Sequence, residues 1–431
     1  MRLIDEGSLA ALGGSRPADT LTVWAWRGGS LVLPEPLEVI SWSVDDEAGD
    51  SVKVGGKLSL TVADPDGTLG AWRFEDALSV AGTELRVIYN IGGSGSVNFG
   101  RFRVISNEPN VTYDSRLVAE YGYAKPDSLE APHTRRRYYM AGVVALSAVD
   151  LTFNVDRDRF EAPESASSST VLNEIARLTK RHFPLVVDAG VTDTNVSPLL
   201  VFDRERLEAV QDLASRVNAR YRMGGDGECH IYPARTTPVW RVEPTAGLVS
   251  VGRKQASDGL VNRWVVEGKD TGDGKPVRAT ASIDTGPLRY GGPHGRAPFF
   301  YSSEMIETTG QALAYAIQLR DEFLSSLAVE LAVETVPRPE LQAGDWIEVG
   351  CPVAAGHVAY FPGQITSIRR SGSPVPGPTS LTVACSYADV NDGLNRTEWA
   401  KHITAGMPPL TWDRMPATWG QLPAVTWDSL T

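Results

Sequence analysis

The sequence predicts a mainly β protein. Two small β-barrel modules flank a small α+β domain, and an extended C-terminal segment follows them. Three observations carry this expectation. Alternating apolar and polar runs fill the beginning and the end of the chain, and apolar residues at helical spacing concentrate in the middle. One strand–turn–strand pattern also occurs twice. The boundaries drawn from these signals are 1–124 for the first barrel, 125–245 for the α+β domain, 246–390 for the second barrel and 391–431 for the extended segment.

The elements follow in order. Leu21-Thr22-Val23-Trp24-Ala25-Trp26 alternates, Leu37 to Trp42 does so less cleanly, and Lys57 to Val62 alternates into the turn Asp64-Pro65-Asp66-Gly67. Glu84 to Tyr89 and Phe99 to Ile105 come next, separated by Gly92-Gly93-Ser94-Gly95. In the middle, Val171, Leu172, Ile175 and Leu178 share one helical face behind Ser169 or Thr170 as cap. Leu207, Val210, Leu213, Ala214 and Val217 mark a second amphipathic helix. Short strands at Pro184–Val187 and Cys229–Tyr232 accompany them. The β character returns at Trp264 to Glu267 and Val277 to Ile283. A helix at about Thr309 to Ser325 carries Leu313, Ile317 and Phe323. Strands at 327–333, 346–349, 363–368 and 380–385 complete the pattern.

Composition narrows the function. With 431 residues, 42% hydrophobic and 22% charged, the chain has room for several packed domains, and its many aromatics exclude disorder. The 41 Gly and 28 Pro suit a turn-rich β protein. A net charge of −12 argues against a surface built to grip phosphates. Cys229, Cys351 and Cys385 are too few and too scattered for a disulfide framework or a zinc ribbon. The N-terminal residues do not read as a signal peptide. The longest apolar stretch, Met140 to Val149, is about half of what spans a bilayer. A soluble protein made in the cytoplasm, with no membrane span, is expected.

The repeat decides the reading. Ala81-Gly82-Thr83-Glu84-Leu85-Arg86-Val87 matches Ala343-Gly344-Asp345-Trp346-Ile347-Glu348-Val349 in pattern, and Phe99 to Ile105 matches Phe361 to Ile368 more loosely. Each copy follows an alternating strand and a Pro-bearing turn. Two β-hairpin modules could share such cues without common structure. A true duplication would let three chains supply six equivalent units and so mate a threefold object with a sixfold one.

With these residues in view, the chain resembles the baseplate hub or tail-tip hub proteins of long-tailed phages. The run Leu58-Ser59-Leu60-Thr61-Val62-Ala63-Asp64-Pro65-Asp66-Gly67-Thr68-Leu69 resembles their first barrel. Gly291 to Tyr301 and Leu341 to Trp346 resemble their second barrel region, and Val171 to Thr179 and Leu207 to Ala219 their central helices. The resemblance covers most of residues 20–390. It implies tail-tube-like barrels and a structural virion protein at the tail tip, assembled in the host cytoplasm. It also implies a homotrimer that closes the tail tube, adapts sixfold to threefold symmetry and acts in host attachment and DNA ejection. The implied partners are the distal tail protein ring, the tape-measure protein and downstream tip or receptor-binding proteins, with DNA passing transiently through the lumen.

Catalytic chemistry is not visible. There is no Gly-x-Ser-x-Gly elbow, no phosphate loop and no His-Glu-x-x-His spacing. Neither catalytic residues nor a metal or other cofactor are expected, and the protein reads as no enzyme. Asp64, Asp66, Asp270 and Asp273 read as turn residues rather than calcium ligands. Arg135-Arg136-Arg137-Tyr138-Tyr139 reads as a subunit contact before a nucleic-acid site. A tail-associated cell-wall hydrolase and a host carbohydrate-binding tip protein are the alternatives.

The C-terminal segment repeats Thr-Trp units at Trp412, Trp419 and Trp427, the first two ending in Pro, with Trp399 upstream. It is too short for its own core, and exposed Trp at this density needs pockets to fill. The candidate partner-binding residues are Trp399, Trp412, Met415, Trp419, Leu422, Trp427 and Leu430. They either clamp their own barrel or, the preferred reading, anchor a neighbouring tip protein. Deleting residues 405–431 is expected to leave a folded protein, by circular dichroism, that no longer assembles with that partner.

Overall fold

The computed structural model describes residues 1–396 except 3, 13, 15–17, 50–51, 121–132, 198, 256, 258, 271–275 and 355–356. The described chain forms two compact units. The first contains Met1–Val251, Ala332–Val349 and Gln364–Val383, and the second contains Gly252–Leu331, Gly350–Gly363 and the described residues from Ala384 onward.

In the first unit, helix α1 (Glu6–Leu12) precedes β1 (Thr20–Arg27), β2 (Ser30–Leu31), β3 (Val39–Glu47), β4 (Gly56–Asp64), β5 (Thr83–Ile91), β6 (Gly95–Glu120) and β7 (His133–Asp150). The strands pair antiparallel in the order β3-β4-β7-β6-β5-β1-β2. Period-two burial explains why these residues form a sheet. Leu58, Leu60 and Val62 of β4 and Leu85, Val87, Tyr89 and Ile91 of β5 are all buried, while their neighbours are not. The sheet folds over this apolar face, where Trp42, Tyr89 and Phe99 meet with ring centroids 5.3–6.5 Å apart.

The curled sheet nearly closes on itself. Leu37 N–H donates to the Val23 carbonyl of β1, and the Ala63 N–H of β4 donates to the Glu38 carbonyl. The prolines at 34 and 36 lack the donors that would extend these two bonds into a ladder. The stretch Met140 to Val149 lies in β7, between β4 and β6. The first sheet therefore takes its last strand from residues that the 124/125 boundary gave to the α+β domain.

The α+β domain follows as α2 (Thr152–Arg157), β8 (Glu164–Ser165), α3 (Val171–Thr179), β9 (Leu185–Val187), β10 (Val201–Phe202), α4 (Arg206–Arg216), β11 (Ala219–Met223) and β12 (Cys229–Pro233). The helical faces are those expected: Val171, Ile175 and Leu178 on α3, and Leu207, Val210, Leu213 and Ala214 on α4, are buried together. The α3 cap differs. Thr170 occupies the N-cap without a side-chain bond, and Glu174 instead accepts from the Ser168 N–H at 2.9 Å.

Next come β13 (Trp240–Val242) and β14 (Leu248–Lys254). In the second unit, β15 (Arg263–Asp270), β16 (Pro276–Ser282) and β17 (Pro298–Ser302) form a small sheet covered by α5 (Thr309–Ser326). This helix differs from expectation. It packs through Ala312 and Ala316, with Phe323 against Trp264, while Leu313 and Ile317 are exposed. Small residues let the helix approach the sheet closely, which a hydrophobicity ranking does not detect. The chain then forms β18 (Ala328–Thr335), β19 (Trp346–Ala354), β20 (His357–Gly372), β21 (Thr379–Ser386) and α6 (Tyr387–Asn395).

The duplication appears as strand order. The run β14-β18-β21-β20-β19 repeats β3-β4-β7-β6-β5, with the insertion β15 to α5 between its first two strands. β13 takes the place of β1 beside β19, but it is three residues long and runs parallel where β1 is antiparallel. The Val336 N–H donates to the Gly247 carbonyl just before β14, as Ala63 does to Glu38 just before β3. Leu85 and Val87 match Ile347 and Val349, all buried. The two expected barrels are not separate, however. Among the described residues both runs belong to one open 13-stranded sheet, because β20 also pairs with β3.

The two copies share a turn but differ in its surroundings. Gly82 and Gly344 both have positive φ, +87° and +91°. A Cβ at Gly82 would meet nothing within 4 Å, whereas one at Gly344 would lie 2.3 Å from the Tyr232 hydroxyl. Gly82→Ala is expected to cost about 1–2 kcal/mol from backbone strain alone. Gly344→Ala is expected to cost clearly more, with denaturant midpoints giving the comparison.

Candidate assembly interface

The junction of the two repeated runs is polar and buried. Ser367 to Gly372 of β20 pair antiparallel with Glu47 to Trp42 of β3. On this ladder Asp46 accepts from Arg2 at 2.8 Å and from Arg370 at 3.2 Å, and Arg369 faces Asp45 at 3.6 Å. Arg2 and Arg370 are 6% and 3% exposed, and both guanidinium groups stack on Phe99, at 4.9 and 5.2 Å from its centroid. They also donate to the Leu341 carbonyl, Arg2 at 2.8 Å and Arg370 at 2.5 Å. Burial alone would push the Asp46 carboxyl up, but the two arginines outweigh it and hold Asp46 below the usual carboxylate range.

The α+β domain grips both runs. The β11 strand sends the Tyr221 hydroxyl to the Lys53 carbonyl at 2.9 Å, on the first run. It sends Arg222 to Asp345 at 2.7 Å and Arg220 to Gln364, on the second. The Trp346 indole donates to the Ala234 carbonyl at 3.2 Å. The β11–β12 turn needs glycine at 225, where a Cβ would lie 2.1 Å from the Asn98 carbonyl.

His182, His230 and the three thiols are occupied or deactivated. His182 is bonded to Asp158, and both ring nitrogens of His230 are engaged, by Asp188 at 2.9 Å and Asp226 at 3.2 Å. Asp226, Glu228 and His230 each place a ligand atom within 4.8 Å of the others on an open turn. Burial pushes the three thiols up, Cys351 to about 11 and Cys385 to about 12, so none is a thiolate at neutral pH. Asp64 accepts from the backbone of Thr68 and Leu69, the turn role read from the sequence.

The candidate anchors Trp399, Trp412, Met415, Trp419, Leu422, Trp427 and Leu430 lie outside the described residues, as do the side chains of Arg135 to Tyr139. A different pair of aromatics is displayed instead. Trp72 and Phe74 are 88% and 71% exposed. Their loop is held rigidly: Asp76 accepts from the Trp72 and Arg73 amides at 2.8 Å, and Asn107 donates to the Leu69 and Leu78 carbonyls. The Trp-Arg-Phe triplet between turn and strand was the available signal in the sequence. The equivalent loop of the second run, Glu340 to Asp345, is buried at the junction.

Asp46 sets a pH dependence. Its folded pKa is lowered, so it stabilises above the unfolded carboxylate value, and that contribution is lost as pH falls. The melting temperature should therefore drop between neutral pH and about pH 4, with a shallower slope in Asp46→Asn. Asp46→Ala leaves two buried cations without their partner and should cost about 3–5 kcal/mol.

No protein-family model and no curated protein matches this chain. Solved structures do. The tail protein from Neisseria meningitidis MC58 superposes with a TM-score of 0.50 at 13% identity, over 87% of this chain and 99% of that one. The 43 kDa tail protein of prophage MuSo2 from Shewanella oneidensis gives 0.53 at 12% identity, over 85% and 99%. At such identities the likeness is one of fold, and it spans nearly the whole of both relatives. The resemblance read from the sequence is met in three dimensions: this chain is built on the fold of phage tail proteins.

Proposed function

We propose that the chain is the structural hub of a phage tail tip, three copies forming a ring that closes the distal end of the tail tube. The observation that carries this is the duplicated strand order within one chain. A chain with two equivalent modules lets a threefold ring present six equivalent units to a sixfold tube, which a single module cannot do. The fold shared with phage tail proteins supports the same role. The buried thiols and the carboxylate-paired His182 and His230 suit a scaffold rather than a catalyst.

In this reading the ring stacks below the distal tail protein ring, encloses the end of the tape-measure protein, and lets DNA pass during ejection. The net charge of −12 favours sliding over sticking in such a lumen. The Trp-rich segment, Trp399 to Leu430, docks the tip or receptor-binding protein. In solution the purified chain should show a mass close to three times the 46.6 kDa of one copy. Light scattering across a concentration series reads this directly, and a single-copy mass at every concentration would remove the ring.

A further inference from the structure

The turn between β11 and β12 is short and tightly bonded. The Gly224 N–H donates to the Glu228 carbonyl at 2.8 Å, and the Gly227 N–H donates to the Gly224 carbonyl at 3.1 Å. Asp226 Oδ1 accepts from the Glu228 N–H at 2.9 Å, which leaves Oδ2 facing His230 Nε2 at 3.2 Å. His230 stands in β12, the middle strand between β11 and β9, so the backbone beneath its ring is paired on both sides. On the far side of the ring, Nδ1 meets Asp188 at 2.9 Å. Asp188 is itself fixed, its N–H donating to the Ile231 carbonyl at 2.8 Å.

Two features of this cluster call for a cation. A neutral imidazole carries one N–H and can donate to only one of its two carboxylate neighbours. Its other nitrogen then turns a lone pair toward an anionic oxygen. Glu228 adds a third carboxylate, its ligand oxygen within 4.8 Å of those of Asp226 and His230. Among the described residues the Glu228 side chain makes no hydrogen bond or ion pair, although it is only partly exposed. The neighbouring guanidinium groups are committed elsewhere. Arg101, which lies against Gly227, pairs with Glu84 at 3.0 Å, and Arg222, opposite His230 in the ladder, pairs with Asp345 at 2.7 Å. Three carboxylates around one imidazole leave a local excess of negative charge.

We propose that Asp226, Glu228 and His230 Nε2 bind a divalent transition-metal ion of the zinc class, with Asp188 orienting the imidazole from behind. An ion about 2.1 Å from each ligand holds neighbouring ligands roughly 3.0–3.4 Å apart, and Asp226 and His230 already stand at 3.2 Å. The imidazole selects against Mg²⁺ and Ca²⁺, which take oxygen ligands. Asp188 holds the tautomer that presents the Nε2 lone pair, the usual duty of a carboxylate behind a metal-bound histidine. The remaining coordination positions go to water. The place of the turn fixes the effect of the ion. A Cβ at Gly225 would lie 2.1 Å from the Asn98 carbonyl, and one at Gly227 would lie 2.8 Å from Arg101 Cδ, so the turn is pressed against β6. Bound metal therefore stiffens one of the contacts through which the α+β domain grips the first run. The site lies within a single chain and does not depend on the ring.

The test uses the full chain, stripped with EDTA and dialysed against micromolar ZnCl₂. Metal analysis should find one zinc ion per chain that Glu228→Gln binds roughly tenfold or more weakly. Because the Glu228 side chain holds nothing else, the circular dichroism spectrum of this variant should match the parent. Asp188→Asn, which touches no metal, should weaken zinc by roughly 10–100-fold through the imidazole it no longer orients. Zinc should also raise the thermal midpoint of the parent and raise that of Glu228→Gln less. Mg²⁺ at the same concentration should do neither and should not displace the zinc. A parent chain that retains no zinc, zinc held equally by the parent and Glu228→Gln, or ready displacement by Mg²⁺ overturns the site.

Discussion

The carboxylate of Asp46, held between Arg2 and Arg370, is the constraint on which the rest of the first unit depends. It sits where the second run of strands joins the first, and all three groups are largely withdrawn from water. A buried charge is tolerated only when paired and fully bonded. Here the arginines satisfy Asp46, spend further donors on the Leu341 carbonyl, and rest their flat faces on Phe99. Five segments distant in sequence are thereby fixed by one set of contacts. A ladder of backbone bonds alone would hold the strands, but its register could slip. The Arg–Asp pairs remove that freedom.

From this junction the logic of the sheet follows. Each run buries alternate apolar residues, and in each the residue just before its first strand accepts one backbone bond from its second strand or the residue that follows it. The first run need not close completely, because β20 of the second run reaches its edge strand β3. The α+β domain then acts as a brace, with successive residues of β11 bonded to opposite runs. The insertion between β14 and β18 leaves the repeated order intact, since it departs from and returns to neighbouring strands.

A sheet with open edges is a liability unless the edges are meant to be used. Natural edges are blunted by charge and proline. Residues 105–110 carry charge and proline and β14 carries charge, yet each also keeps an exposed apolar side chain. The same economy appears in the loop around Trp72, whose rigidity lowers the entropy lost when its aromatics are covered.

Much of this was legible in the residues. Period-two alternation located β1, β4 and β5, helical spacing located α3 and α4 and their buried faces, and the Ala-Gly pair before Leu85 and Ile347 exposed the repeat. These are local signals, set by side chains that a strand, helix or turn itself places on one face. What the tertiary structure decided is which strands are neighbours. The sequence presents Arg369 and Asp45 only as exposed charges, and nothing local reveals that they share a ladder. It singles out Leu313 and Ile317 on this helix, although the sheet accepts α5 through Ala312 and Ala316. It also assigned two separate barrels where one open ladder runs through both. Strand pairing is a property of distant segments brought together, and its energy lies in backbone groups that every residue carries alike, so the sequence can name the strands but not their partners.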